Sequence, residues 1–304
     1  MDVVVIGSAN MDLVISLPRI PAVGETVLGG KSSMVYGGKG ANQAVAAIRA
    51  GGKVAFIAKV GKDLFGDNMK SHFEKEGFRT DLILTDENEP TGIAQIFVSE
   101  KGENSIAVAP GANMKLFSID LEPFIEYIKN AKVVLLQLET PMETVAYIAE
   151  IAYKNNVKLI LNPAPAEKLN DDLLKKVWLL TPNESEASLL SGIEVNDTAS
   201  AIEAAQHFLA LGIENVIITL GENGSLFCNK KGSEHFAAYK AKAVDTTAAG
   251  DVFNGTLAVA VANEKPFAEA IKFAAAAAAI SVTREGAQPS IPILSEIEKF
   301  IENN

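Results

Sequence analysis

The sequence predicts an α/β protein in which helices cover both faces of a central sheet and a second, smaller sheet stands over one edge. Three observations carry that expectation. Short β-branched runs alternate with amphipathic or alanine-rich stretches along the chain. The runs are nearly continuous in apolar residues, as strands buried on both faces require. Two segments break the rhythm with strand-like pieces that have no helix between them.

The elements follow in order. Residues 3–7 open the chain as a core strand. Residues 12–36 then hold two strand-like pieces, 13–17 and 26–35, with Pro and Gly between them. A helix is expected at 41–50, a strand at 54–60 and a helix at 65–75, before residues 91–109 read as a hairpin about Glu100-Lys101-Gly102-Glu103. Beyond it, strands at 133–138, 157–161, 177–180 and 216–220 alternate with helices at 142–154, 184–190 and 199–211. Residues 252–261 form a helix-like run, and the 274–279 alanines form a closely packed helix, because Ala combines high helix propensity with little bulk. The four strands outside the alternation make a small sheet inserted twice into the main domain. That divides the chain into a core of residues 1–10, 41–90 and 111–304 and a lid of residues 11–40 and 91–110.

At 304 residues, 48% hydrophobic and 21% charged, the chain can bury a sizeable core as one large domain or as a domain with a smaller appendage. A formal charge of −11 argues against a nucleic-acid face, which needs a dense Lys/Arg surface; an anionic nucleotide needs a local pocket instead. The longest apolar run, 273–280, is far below the ~20 residues that span a bilayer, so no membrane partner is expected. Met1-Asp2 leads straight into the first strand with no basic segment or cleavage site, and a cytoplasmic protein is expected. The one cysteine, Cys228, rules out an internal disulfide framework and reads as a small apolar filler.

Chemistry concentrates in Asp245-Thr246-Thr247-Ala248-Ala249-Gly250-Asp251, a small-residue loop feeding a helix start. Free backbone N–H groups and the helix dipole there favour an anion. A carboxylate beside an anion site repels its ligand, so Asp251 has two readings: a general base that takes a proton from an attacking hydroxyl, or a helix cap. Residues 24–32 imitate a phosphate-binding loop, but the glycine spacing is one residue too long and the context is a hairpin. Ala9 and Asp12 stand at the second and third glycine positions of a dinucleotide fingerprint, which argues against NAD. His72, His207 and His235 are far apart, without metal spacing, and read as surface or capping residues.

A second glycine-rich segment, Gly37-Gly38-Lys39-Gly40-Ala41-Asn42-Gln43, precedes a helix, and its glycines are expected to let the backbone approach a small ligand. Asn10-Met11-Asp12 and Glu139 lie at the carboxyl ends of strands, where open α/β sheets bind ligands. With Asn42 they offer carboxylates and carboxamides suited to an array of hydroxyls, each of which donates and accepts.

These two segments, Gly37 to Ala44 and Asp245 to Asp251, resemble the paired signatures of the phosphofructokinase-B-type sugar kinases, with further likeness at 161–166, 181–184 and 286–290. Within that family the chain is most similar to the branch that phosphorylates ribose. The resemblance implies a Rossmann-like core with a β-sheet lid paired with that of a second subunit, and transfer of the ATP γ-phosphoryl group to O5 of D-ribose. Carried over by position, it makes Asp251 the base and the amides of Ala248, Ala249 and Gly250 the anion hole. Sugar falls to Asn10, Met11, Asp12, Gly38, Lys39, Gly40, Ala41, Asn42, Glu139 and Asp251; nucleotide falls to Asn183, Thr219, Leu220, Gly221, Glu222, Asn223, Gly224, Gly250, Asp251 and, near adenine, Ala275. Asn183 and Glu186 match a pattern linked to Mg²⁺ through water. Asp245, Thr247, Ser281, Arg284, Gly286 and Ser290 match loops for an activating K⁺, where Arg284 contributes only its main-chain oxygen. Ala248 stands where many relatives carry Gly; the needed group is an N–H, so an alanine is tolerable there unless φ must be positive. A sibling kinase for fructose, adenosine or a 2-keto-3-deoxy sugar acid, or a non-catalytic sugar-sensing protein, is the alternative; Lys39 as the one cation disfavours a sugar phosphate.

Overall fold

The computed structural model describes residues 1–304. Its strands are β1 (Val3–Ile6), β2 (Asn10–Leu17), β3 (Lys31–Gly37), β4 (Val54–Gly61), β5 (Ile83–Asp86), β6 (Gly92–Ser99) and β7 (Asn104–Ala109), followed by β8 (Val133–Leu136), β9 (Lys158–Leu161), β10 (Leu179–Leu180), β11 (Asn215–Thr219), β12 (Ser225–Asn229) and β13 (Gly232–Phe236). Nine of them form one sheet in the order β13-β12-β11-β10-β9-β8-β1-β4-β5. From β11 to β5 every pairing is parallel; β12 and β13 add an antiparallel edge.

Eight longer helices complete the fold: α1 (Lys39–Arg49), α2 (Leu64–Lys75), α3 (Met142–Lys154), α4 (Glu184–Ser191), α5 (Thr198–Ala210), α6 (Ala249–Ala262), α7 (Phe267–Ser281) and α8 (Leu294–Glu302). Side-chain alternation in β1 shows why both faces need them. Val3 and Val5 join a cluster of 42 buried residues with α1, α2, α6 and α7, while Val4 and Ile6 join one of 35 with α3, α4 and α5. Neither face is left to water, so strands such as β1 and β8 read as apolar runs without polar gaps. Helix starts are marked by their own chemistry: Asp63 accepts from the Gly66 N–H, and Asp197 from the Ser200 N–H.

The four irregular strands make the small sheet, order β3-β2-β6-β7, in which β2 and β6 run parallel and the outer pairs antiparallel. Three residues separate the end of β1 from the start of β2, so the exit of the first core strand leads directly into this sheet. The strand expected at 26–35 begins only at Lys31. Gly29 and Gly30 sit at φ 109° and 99°, which breaks any extended run before that point. No helix is long and apolar enough to cross a membrane.

Candidate active site

Helix α6 carries the centre of the site. Residues Asp251 to Ala262 are all buried, so the helix runs through the core between α1 and α7 with its N-terminus at the sheet's carboxyl edge. The N–H groups of Ala248, Gly250 and Asp251 have no partner in the chain, whereas the Ala249 N–H donates to the Thr246 carbonyl at 3.2 Å. The free set thus differs by one member from the expected one. Ala248 is the N-cap residue and lies at φ 61°, ψ 8°, in the left-handed region. The proviso attached to an alanine here is therefore not met: the loop needs positive φ, and a residue with a Cβ holds it under strain.

Asp251 does not cap. Its Oδ2 accepts from Nδ2 of Asn42 at 3.0 Å and its Oδ1 from Nε2 of Gln43 at 2.9 Å, so both oxygens face α1 rather than the N–H groups of α6. Asn42 is buried and its Oδ1 has no partner. Glu139 accepts from the Ser8 hydroxyl and from the Lys39 N–H at 3.0 Å. Asn10 is held through Oδ1 by Nδ2 of Asn113 at 2.6 Å. Burial first, then the charges of Glu139 and Asp251, push the Asp12 carboxyl up to about 7. Burial works against the Lys39 ammonium, but the carboxylates of Asp251, Glu139 and Glu186 more than offset it and lift its pKa above the lysine range. Asn10, Asp12, Lys39, Asn42, Glu139 and Asp251 thus gather around one polar space.

The remaining positions of the first loop serve that cluster through backbone. The Gly40 N–H donates to the Ser8 hydroxyl, and a Cβ on Gly40 would lie 2.5 Å from Ser8 N. The close approach is to the protein's own first strand rather than to a ligand. The Ala41 N–H bonds the Ser8 carbonyl at 2.8 Å, Gly38 takes φ 89° against Ala9 and Asn10, and the Met11 side chain packs into the core.

A cavity of about 870 Å³ opens on the other side of the α6 N-terminus. Asn183, Thr219, Gly221, Glu222, Gly224, Gly250 and Ala275 line it, with Ala249 beside them. Leu220, Asn223 and Asp251 do not: Leu220 packs into the core, the Asn223 carbonyl accepts from Nε2 of His235, and the Asp251 carboxylate turns to Asn42 and Gln43. Sequence reasoning missed the wall from Phe236 to Ala243, including Tyr239, together with Ala278, Ala279 and Val282. An alanine-paved floor was visible in the composition of α7; the wall follows an edge hairpin that carries no long apolar run.

Asn183 and Glu186 form a reciprocal capping box on α4, Asn183 Oδ1 accepting the Glu186 N–H at 2.8 Å and Glu186 Oε2 the Asn183 N–H at 2.9 Å. Burial raises the Glu186 pKa against the opposing pull of that N–H and of Lys39. Asp245 forms the Asx turn with Thr247 and also accepts the Gly286 N–H at 2.8 Å, tying two loops together. The carbonyls of Thr247, Arg284, Gly286 and Ser290 accept no hydrogen bond from the chain. That of Ser281 accepts from the Arg284 N–H at 3.0 Å, and the Arg284 side chain is paired with Glu296. No group of three or more His, Cys, Asp or Glu stands ready for a metal ion. His72 departs from its expected surface or capping role, being wedged between Tyr36 and Gln288. Burial pushes the Cys228 thiol up to about 11, which leaves it an inert filler.

Comparison with known proteins accords with this geometry. Residues 1–294 match the pfkB family carbohydrate kinases. The ribokinase of Haemophilus influenzae is 49% identical over 98% of both chains. The crystal structure of the Thermotoga maritima ribokinase superposes with a TM-score of 0.92 at 40% identity over 100% of both chains. The Arabidopsis thaliana ribokinase, solved in complex with ribose and ATP, gives 0.92 at 32% identity over 99% of this chain and 98% of its own. A match of that extent, joined to the polar cluster and cavity that meet at Asp251, makes the chain a member of the pfkB family of carbohydrate kinases.

Proposed function

We infer that the chain is an ATP-dependent ribose kinase, giving D-ribose 5-phosphate and ADP. One observation carries the reading. Residues 249 and 250 line the large cavity while the carboxylate of Asp251 belongs to the cluster of Asn42, Lys39, Asp12 and Glu139, so a hydroxyl and a nucleotide bound on the two sides meet at one turn of helix. The cluster of carboxylates and carboxamides suits a polyol, and the relatives act on ribose. In the reaction, Asp251 takes the O5 proton as O5 bonds to the γ-phosphorus, the bond to the β-γ bridging oxygen breaks, and ADP leaves with that electron pair. The N–H groups of Ala248 and Gly250 offset charge on the moving phosphoryl group.

Two ions fit the chain in different ways. Glu186 keeps only Oε1 outside its capping bond and is buried, which suits contact with Mg²⁺ through water on an incoming nucleotide better than a resident site. Four unused carbonyl oxygens on loops joined by Asp245 suit K⁺. Mg²⁺ supplies charge neutralisation on the phosphates, and K⁺ stabilises the loop that carries Ala248 to Gly250. The small sheet is the lid over the sugar. Its strand β7 is exposed throughout, and Met34, Ile106 and Val108 leave 69%, 55% and 51% of their surface in solvent, which suits pairing with a second copy as a homodimer. Use of ATP suits work in the cytoplasm.

ADP release measured with ribose, fructose, adenosine and 2-deoxyribose, with and without K⁺, tests the reading. Ribose is expected to give the highest kcat/KM; turnover of another acceptor with ribose idle overturns it.

A further inference from the structure

Asn42, one of the two donors to Asp251, belongs to the sugar cluster. The other, Gln43, has no exposed surface and no reach to a ligand. Its amide nitrogen has two hydrogens, and both are committed: one to Asp251 Oδ1 at 2.9 Å, the other to Asn162 Oδ1 at 2.9 Å. Its Oε1 accepts from Nε2 of Gln137 at 2.6 Å. An ionised carboxylate only accepts, so the Gln43 atom facing Asp251 is nitrogen and the atom facing Gln137 is oxygen. Turning the amide over would set oxygen against both Asp251 and Asn162. The chain of carboxamides has one self-consistent orientation, and it aims a donor at the base.

The same network continues to the helix start. Asn162 donates to the Thr181 carbonyl at 3.0 Å, the Thr181 hydroxyl to Asn254 Oδ1 at 2.5 Å, and Asn254 Nδ2 to the Gly250 carbonyl at 2.8 Å. Gln137, Asn162 and Thr181 are each the first residue past β8, β9 and β10, three neighbouring strands. Side chains at the ends of the sheet thereby grip both the carboxylate of Asp251 and the carbonyl before it. Space for this is cut by two glycines: a Cβ on Gly255 would lie 2.2 Å from the Gln43 carbonyl oxygen, and one on Gly7 would lie 2.1 Å from Gln137 Oε1. That Gln137 oxygen is buried without a partner, a cost that an apolar pair of the same volume would avoid.

We propose that Gln43 is the positioning residue of the phosphoryl-transfer base, held in orientation by Gln137 and Asn162. Gln43 fixes the rotamer of Asp251 by donating to its Oδ1, which leaves that carboxylate aimed at the substrate side. This rests on Asp251 being the base.

Gln43→Met removes the donor at nearly constant volume, and Gln137→Met removes only the group that orients it. The other ionisable groups coupled to Asp251 are Asp12 on β2, Lys39 on α1 and Glu186 on α4, and neither substitution touches them. In Gln43→Met, kcat is expected to fall at least about 10-fold, with KM for sugar and ATP within about two-fold. Gln137→Met is expected to do the same to a smaller extent, and carries the test if the first variant does not fold. A lower melting temperature with unchanged kcat, or a raised KM with unchanged kcat, overturns the proposal. Asp251→Asn separates the two ideas. If it is inactive while both glutamine variants keep full kcat, the relay fails and the base stands; if it keeps full kcat, the base assignment itself fails.

Discussion

Tyr36 of the small sheet lies flat on His72 of α2, with ring centroids 4.0 Å apart and planes 4° from parallel. The imidazole Nε2 sits 2.6 Å from Gln288 Oε1, in the turn between Gly286 and Ser290, so one ring joins β3 to the loop proposed to hold K⁺. Burial lowers the His72 pKa below its ordinary 6.5, outweighing the Gln288 bond and the charge of Glu76 that raise it. The folded protein thus binds this proton less readily than the unfolded chain. The corresponding stability is fully present above pH 6.5 and is lost as pH falls through the depressed folded value. His72→Phe keeps a stacking ring without the titration. Melting curves from pH 7.5 down to about 5 are expected to fall less steeply for this variant than for the unchanged protein; parallel curves would remove His72 from the acid response.

Asp251→Ala removes the proposed acceptor for the O5 proton while Asn10, Lys39 and Glu139 remain in place around the proposed sugar site. A loss of ~10²- to 10⁴-fold in kcat is expected. Sugar affinity, read by calorimetry, is expected to weaken yet stay measurable. Unchanged turnover would end the assignment.

The parts of the fold that were legible in the sequence are those that physical necessity writes into composition. Core strands such as β4 and β8 are covered on both faces and read as apolar runs, and α3 shows its stripe over Met142–Lys154. Strands β5, β12 and β13 left weaker marks. β5 and β13 lie at the sheet edges, with one neighbour each, and in β13 only Phe236 is buried. Helix α8 was missed although Leu294, Ile297, Phe300 and Ile301 recur at helical spacing and pack against the core, a legible stripe left unread. The same division holds at the site. Asp251 and the glycine loops announce themselves through spacing, but Gln43, Asn113, Gln137, Asn162 and Asn254 look like surface amides until the sheet buries them together.

Ala248 offers a test of stored strain. An L-residue at φ 61° costs about 1–2 kcal/mol, while glycine adds unfolded-state entropy that offsets part of any relief. Ala248→Gly is therefore expected to stabilise the protein by roughly 0.5–1 kcal/mol in denaturant titrations, with turnover retained because the N–H stays. In Ala248→Val the β-branched side chain resists the left-handed region, so the free amides are displaced and kcat is expected to drop by more than about 10-fold. A valine variant with full turnover would detach the amides from catalysis.

Asp12 makes the opposite pH prediction from His72. Burial, with Glu139 and Asp251 adding like charge, raises its pKa from 3.8 to about 7. The folded state therefore holds this proton more tightly, and the stability is complete below pH 3.8 and lost as pH climbs toward 7. Asp12→Asn stays neutral throughout. Without ligands, its melting temperature at pH 8 is expected to exceed that of the unchanged protein, with the gap narrowing as pH falls from about 7 toward 3.8. A gap that is constant with pH would show that Asp12 ionises without hindrance.

A variant at Asp245 is expected to separate the effect of the proposed cation from that of the sugar. The Asp245 Oδ1 accepts the Thr247 N–H and hydroxyl, at 2.9 and 2.6 Å, and its Oδ2 accepts the Gly286 N–H at 2.8 Å. Those bonds hold its pKa below the ordinary aspartate value against the effect of burial, so it stays an anion at neutral pH. The bridge spans the loop that leads to Ala248 and the loop that presents the carbonyls of Arg284 and Gly286. Asp245→Ala cuts the tie and removes the negative charge that a monovalent cation would meet, yet none of its bonds reaches Asn10, Lys39, Asn42 or Glu139. The variant is expected to need at least about 10-fold more K⁺ for half-maximal activation, or to lose activation, while KM for ribose changes by less than about three-fold. A potassium titration at constant ionic strength reads this directly. No response to K⁺ in the unchanged protein would dismiss the cation site, and an equal loss of sugar affinity would place Asp245 with the sugar instead.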